Sequence, residues 1–145
     1  MSSALCLGHA ENPMQLALSL AKKAEKLGEI PVGAVIVRGD KVIATGYNRR
    51  ERSKNGLAHA EIIAINKACK KLKSWRLTDC EMYVTLEPCE MCMGAARNSR
   101  LGRVIYGASG TNAGLNHELE LVGGMMEDEC AGILRRFFKG RREEK

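Results

Sequence analysis

Thr85-Leu86-Glu87-Pro88-Cys89-Glu90-Met91-Cys92 sets two cysteines, with two residues between them, directly behind a proline. Proline favours the first turn of a helix, where its missing N–H costs nothing, so a helix is predicted from Pro88 to about Asn98. Thiols near a helix N-terminus are lowered in pKa by the dipole and by any bound cation, which makes them ready metal ligands. A lone C-x-x-C is shared by redox pairs and structural zinc sites. Upstream, His59-Ala60-Glu61 sharpens the reading. One His and two Cys match the ligand count of a catalytic zinc whose fourth position stays open to water. Glu61 lies two residues past the His, near the metal without being needed as a ligand. It is the candidate catalytic residue.

Working outward, Glu81 to Leu86 reads as the strand that feeds the Pro88 helix. Ala58 to Leu72 reads as a second helix, with His59 and Glu61 in its first turn and Ile62, Ile63, Ile65 and Ala68 facing inward. A lone His is usually a core or capping residue, but the cysteines downstream reverse those odds. Glu61 could be only a dipole-friendly carboxylate, and its place beside a ligand favours the catalytic role. Asn12-Pro13 starts another helix with Asn as its cap, carried by Met14, Leu16, Ala17, Leu20, Ala21, Ala24 and Leu27 and ended by Gly28. Val32 to Val37 and Val42 to Tyr47 form a hairpin through a turn at positions 38–41. Asn48 follows at the strand end, where a side-chain amide can face a pocket or brace the next turn. Positions 49–57 form a polar loop made basic by Arg49, Arg50, Arg52 and Lys54.

After a strand at Arg103 to Ala108 comes a Gly/Asn-rich loop, Ser109 to Asn116, and a last strand, His117 to Val122. A parallel pairing of the two strands normally needs a crossover of about a dozen residues. This loop has no helical periodicity and contains Gly110, Asn112 and Gly114, so an antiparallel hairpin is predicted. Eight extended residues can still span roughly 26–29 Å, which leaves a parallel crossover physically open. A closing helix at 127–139 ends in Arg135-Arg136-Phe137-Phe138-Lys139, with Arg141 and Arg142 beyond. Such a mixture suits phosphate contacts and base stacking, with at least one Phe expected in the core.

The 145 residues suffice for one domain, 1–145, with a loose leader at 1–11 that includes an exposed His9. A formal charge of +6 and a pI near 9.1 favour anionic partners, nucleic acid first, although a merely basic cytosolic protein would look the same. Cys6, Cys69, Cys80 and Cys130 show no disulfide-framework spacing and read as buried apolar residues in a reducing compartment. No stretch reaches transmembrane length and no signal pattern opens the chain, so a cytoplasmic protein is expected.

The spacing H-x-E…P-C-x-x-C is the known signature of the zinc deaminases. Together with Gly33-Ala34-Val35-Ile36-Val37, Trp75-Arg76-Leu77 and Tyr83-Val84-Thr85-Leu86, it makes the chain resemble the cytidine-deaminase superfamily. More narrowly, the chain resembles the bacterial tRNA-specific adenosine deaminases that make wobble inosine, from about Pro13 to Arg142, including Leu115-Asn116-His117 and Asp128-Glu129-Cys130. The resemblance implies a three-layer α/β/α fold around a five-stranded mixed sheet. It implies one Zn2+ per chain held by His59, Cys89 and Cys92 at two helix N-termini, and a homodimer. It also implies a substrate side formed by Asn48, Ala60, Leu86 and Glu87, with Asn48 hydrogen-bonding the target base. Zinc would supply a nucleophile from water at neutral pH, and Glu61 would move the protons. Backbone N–H groups near Ala60 and Cys89 would orient nucleophile and base. A tRNA anticodon loop offers an easily unstacked base.

One departure stands out. The tRNA-type relatives usually carry a longer connection after the 103–108 strand, with a further helix, a parallel last strand and an acidic residue where Gly110 stands. The alternative is a deaminase of a free nucleobase or nucleoside of guanine, cytosine or adenine type, built on the same metal core. A non-catalytic zinc-stabilised RNA-binding module would instead want a fourth His or Cys to close the shell.

Overall fold

Asn12 Oδ1 accepts the Met14 N–H at 2.8 Å and so starts α1 (Pro13–Lys26), as the sequence predicts. The helix stops at Gly28, whose φ of +80° lets the N–H groups of Gly28 and Glu29 turn back onto the carbonyls of Glu25 and Ala24. The computed structural model describes residues 12–110 and 119–143, the side chains only as far as Arg141. The expected leader with Cys6 and His9, His117 and most of the Ser109–Asn116 loop lie outside the described residues.

β1 (Gly33–Arg38) and β2 (Lys41–Tyr47) form the predicted antiparallel hairpin, with a bulge between Ile36 and Val37. A short helix, α2 (Arg50–Ser53), occupies part of the basic loop and was not predicted. α3 (Ala60–Leu72), β3 (Glu81–Leu86), α4 (Glu90–Asn98) and β4 (Arg103–Ala108) follow. The closing helix α5 (Glu127–Glu143) runs longer than the expected 127–139. The sheet order is β2-β1-β3-β4-β5, antiparallel for β2/β1 and β1/β3 and parallel for β3/β4, giving the expected five-stranded mixed sheet.

Strand alternation sorts the core into two layers. Ala34, Ile36, Met82, Val84 and Val104 face α3 and α4, whereas Val35, Val37 and Ile105 face α1 and α5. A sheet covered on both sides buries successive residues, and β1 accordingly is buried from Gly33 to Val37. The result is the three-layer α/β/α arrangement. Cys80 and Cys130 are buried as expected, and Cys69 is half-buried. None of the described helices is long and apolar enough to cross a membrane.

The last strand corrects the sequence reading. β5 (Leu121–Val122) pairs parallel to β4, Val104 with Leu121 and Ile105 with Val122, rather than as an antiparallel hairpin. The physical reason is length. The strand begins at Leu121 instead of His117, so twelve positions, 109–120, separate it from Ala108. That meets the usual need of a parallel crossover. The Val104 N–H donates to Glu120 O at 3.0 Å and the Met125 N–H to Tyr106 O at 3.2 Å, which fixes the edge at both ends.

Gly46 governs how closely α3 approaches β2. A Cβ there would run into the Ala60 carbonyl and come within 3.0 Å of the Ala64 N–H nitrogen. Both belong to the first turns of the helix that carries the predicted metal site. We therefore expect Gly46→Ala to destabilise the protein by about 1–3 kcal/mol, with Gly56→Ala nearly silent because nothing lies within 4 Å of it. Thermal unfolding of the two variants beside the parent reads the difference.

Candidate active site

Two helices begin at the same place. The N-cap of α3 is His59 (φ −78°, ψ 153°) and that of α4 is Cys89 (φ −72°, ψ 173°), and neither side chain caps its own helix. Their carbonyls accept the first intrahelical bonds, from Ile63 and Met93 at 3.0 and 2.9 Å. Thus His59 sits one position before the helix instead of inside its first turn. Pro88 likewise precedes the cap of α4 instead of filling its first turn. An extended residue at the cap swings its side chain off the helix axis, here towards the facing helix. Leaving out a Ser or Asp cap costs each helix about 1 kcal/mol.

Cys89 Sγ and Cys92 Sγ lie 3.7 and 3.5 Å from His59 Nδ1, and all three donor atoms fall within 4.8 Å of one another. Zinc bonds of about 2.3 Å to sulfur and 2.0–2.1 Å to nitrogen, set tetrahedrally, separate S from N by about 3.6 Å. The donor set fits that ion. Its electrostatics agree. Burial, then the neighbouring Arg50, holds the His59 imidazole below its ordinary pKa, leaving a lone pair available. Burial pushes the Cys92 thiol far up, with Glu61 and Cys89 adding to the effect, so a thiolate at this position calls for a cation beside it.

Glu61 lies in the first turn of α3 and is buried. Burial pushes its carboxyl up to about 7, while hydrogen bonds from its own backbone N–H and from the Cys92 thiol pull it down. A cation on the three donors pulls in the same direction as those bonds.

Above these groups opens a cavity of about 280 Å3. Each residue assigned to the substrate side from the sequence lines it: Asn48, Ala60, Leu86 and Glu87. Glu87 Oε1 accepts the Gly110 N–H at 2.8 Å, so Gly110 joins the rim through its backbone. Asn48 Nδ2 donates to Ile30 O at 3.4 Å, and its Oδ1 accepts the Arg50 N–H at 3.2 Å. A carboxamide has capacity for four bonds, so these two leave donor and acceptor capacity for a base. Both readings of Asn48, pocket amide and turn brace, therefore apply. Arg50 of the basic loop also lines the cavity, as does Ile30, which was not singled out from the sequence.

A second hollow of about 500 Å3 shares Ile30, Asn48 and Arg50 with the first and continues to Phe137, Phe138 and Arg141. The two rings meet edge to face at 5.4 Å, and the Arg141 guanidinium stacks 4.9 Å from the Phe137 centroid. Phe137 is only half-buried and Phe138 is exposed, which corrects the expectation of a core Phe. Of the C-terminal arginines, Arg141 reaches this hollow, whereas Arg136 lines a groove against α1 with Lys22.

With this geometry in place, the chain was compared with known proteins. Residues 8–108 match the cytidine and deoxycytidylate deaminase zinc-binding region. The chain belongs to this deaminase family. It is 45% identical to the tRNA-specific adenosine deaminase of Bacillus subtilis (strain 168), over 91% of this chain and 90% of the relative. Among solved structures it resembles one from work on A-to-I editing by tRNA:A34 deaminases at the wobble position of transfer RNA. That match has a TM-score of 0.79 and 37% identity, and covers 84% of this chain and 98% of the other. It also resembles the guanine deaminase of Bacillus subtilis, with a TM-score of 0.66 and 42% identity over 70% of this chain and 65% of that one. The chain is thus a hydrolytic deaminase of a zinc-dependent family, and His59, Cys89 and Cys92 are the residues that fit its zinc.

We expect His59→Ala and Cys92→Ala to abolish stoichiometric zinc. Chelation of the parent should lower its melting temperature, because a metal bound only by the folded state stabilises it. Elemental analysis and thermal unfolding with and without chelator check both outcomes. Full zinc retention by either variant would place the metal elsewhere.

Proposed function

We propose that this chain converts adenosine to inosine at the wobble position of tRNA, acting as a cytoplasmic homodimer with one zinc per chain. The observation that carries this reading is that the two hollows adjoin, sharing Ile30, Asn48 and Arg50. A cavity with room for a single base ends on His59, Cys89 and Glu61, and adjoins a hollow lined by Arg50, Phe137, Phe138 and Arg141. A free base needs only the first. An RNA strand whose target base has been unstacked would use both, through aromatic stacking and guanidinium–phosphate contacts. The relatives at 45% and 37% identity add support through the substrates their names give. So does the parallel β5, which keeps the course of the tRNA-type relatives despite the short connection. Half-buried Ile62 and Met91 on α3 and α4, the outermost layer on that face, favour a second copy packing there.

When bound, zinc supplies Lewis-acid activation of water at neutral pH. A carboxylate oxygen of Glu61 takes a proton from the attacking water as the water oxygen adds to C6 of adenine, and passes the proton to N1. The remaining proton travels by the same carboxylate to the amino group, the C6–N bond breaks and ammonia leaves. Asn48 orients the base through its spare amide capacity. Ala60, whose N–H is among those that begin α3 without an intrahelical partner, lines the same cavity and supplies a donor for the developing charge. Leu86 and Glu87 line the same cavity.

The similarity to a guanine deaminase favours one second reading, a free-base deaminase. An anticodon stem-loop carrying the wobble adenosine, assayed for inosine beside adenine, adenosine, guanine and cytosine, separates the two. Conversion of the hairpin alone is the expected result; faster turnover of a free base would replace the tRNA reading. Glu61→Gln should keep its zinc and lose roughly 10²–10⁴-fold in rate. Arg141→Glu should weaken hairpin binding and flatten its salt dependence by about one unit of slope in a log–log plot. An unchanged slope would remove Arg141 from the RNA surface.

A further inference from the structure

Gly28, Glu29 and Ile30 are consecutive, and each holds a different part of the two hollows. The Gly28 carbonyl accepts Arg141 Nη2 at 2.7 Å and so ties down the aromatic end of α5. The Ile30 carbonyl accepts Asn48 Nδ2. Between them Glu29, only 1% exposed, accepts the Glu51 N–H on Oε1 at 3.1 Å and the Arg52 N–H on Oε2 at 2.7 Å.

Those two N–H groups belong to the opening turn of α2, where no intrahelical carbonyl can reach them. The local cap position is Arg49, which makes no side-chain capping bond. A four-residue helix cannot hold its own geometry, since nucleation is unfavourable at such lengths. Its orientation therefore depends on groups outside it, the Asn48 amide that accepts the Arg50 N–H and a carboxylate from more than twenty positions upstream. The first residue of that helix is Arg50, which lines both hollows and acts electrostatically on His59. A buried carboxylate is costly unless bonded, and both oxygens of Glu29 are bonded to α2.

We propose that Glu29 is a positioning residue that acts through Arg50. By fixing the start of α2, it holds the Arg50 guanidinium at the junction between the base cavity and the aromatic hollow. There Arg50 meets the phosphate next to the extruded nucleotide. The part played by phosphate rests on the tRNA reading; the dependence of Arg50 on Glu29 does not.

The test uses the zinc-loaded protein with Glu29→Gln, Glu29→Ala, Arg50→Ala and the double variant Glu29→Ala/Arg50→Ala. With the anticodon stem-loop, Glu29→Ala should raise KM about tenfold while kcat falls less, the mark of lost ground-state positioning. Glu29→Gln, which keeps one acceptor, should fall between it and the parent. The double variant should be no worse than Arg50→Ala alone, because the two changes break one unit. Additive losses, or equal loss of kcat with unchanged KM, would overturn the proposal. Amide hydrogen exchange at Glu51 and Arg52 reads the capping without any substrate. Both amides should exchange about tenfold faster in Glu29→Ala, at parental zinc content. Unchanged exchange would also overturn the proposal. If the parent fails on the hairpin but exchange at these amides responds, the tRNA reading falls while the link from Glu29 to α2 stands.

Discussion

Everything in the site depends on two helix starts facing each other across a gap small enough for one ion. An N-cap side chain normally turns back onto its own helix to satisfy the free N–H groups there. In α3 and α4 the cap residues are His59 and Cys89, and both side chains are turned to the centre instead. The stability given up at each helix start must be supplied by the strands that aim them. β2 delivers α3 through Gly46, where the missing side chain lets backbone approach backbone, and β3 delivers α4 through the short Glu87-Pro88 step. The sheet thus acts as the jig, and the metal completes a geometry that packing has already set. The buried Cys92 thiol, unfavourable as an anion without a cation, makes the arrangement incomplete by itself.

The architecture was largely legible because its signals are local. The cap at Asn12, the stop at Gly28, the hairpin alternation and the apolar runs of three central strands each rest on neighbouring residues. The metal set was legible for a different reason: few chemistries need His, Glu and a Cys pair behind proline at that spacing. What escaped were pairings between distant residues. Nothing in Gly28-Glu29-Ile30 shows that the middle residue is buried, since its partners lie in a loop that the sequence presents as merely basic and polar. Helix α2 escaped for the same reason, because its opening N–H groups are met by Asn48 and Glu29 rather than by its own four residues.

Two misreadings came from the margins of elements. His59 and Pro88 were each set inside helices that begin two residues later than expected, since a cap and a first-turn residue differ in backbone angle, which composition does not report. The closing helix continued past its expected end. Phe137 and Phe138 were weighed as core because aromatic rings usually are, yet the helix turns them towards a guanidinium and the open hollow.

The parallel edge has a consequence for how this molecule can vary. Ala108 and Leu121 are held by the ladder at the two ends of one connection, and their direction stays the same whatever lies between. Chain can be added to that interval without shifting the register of a single strand, because the constraint is a span to be bridged and not a turn of fixed type. Gly110, at its near end, touches Glu87 through backbone alone. The connection that leaves the cavity at Gly110 can therefore grow longer while the strands and helix starts that hold the metal donors stay where they are.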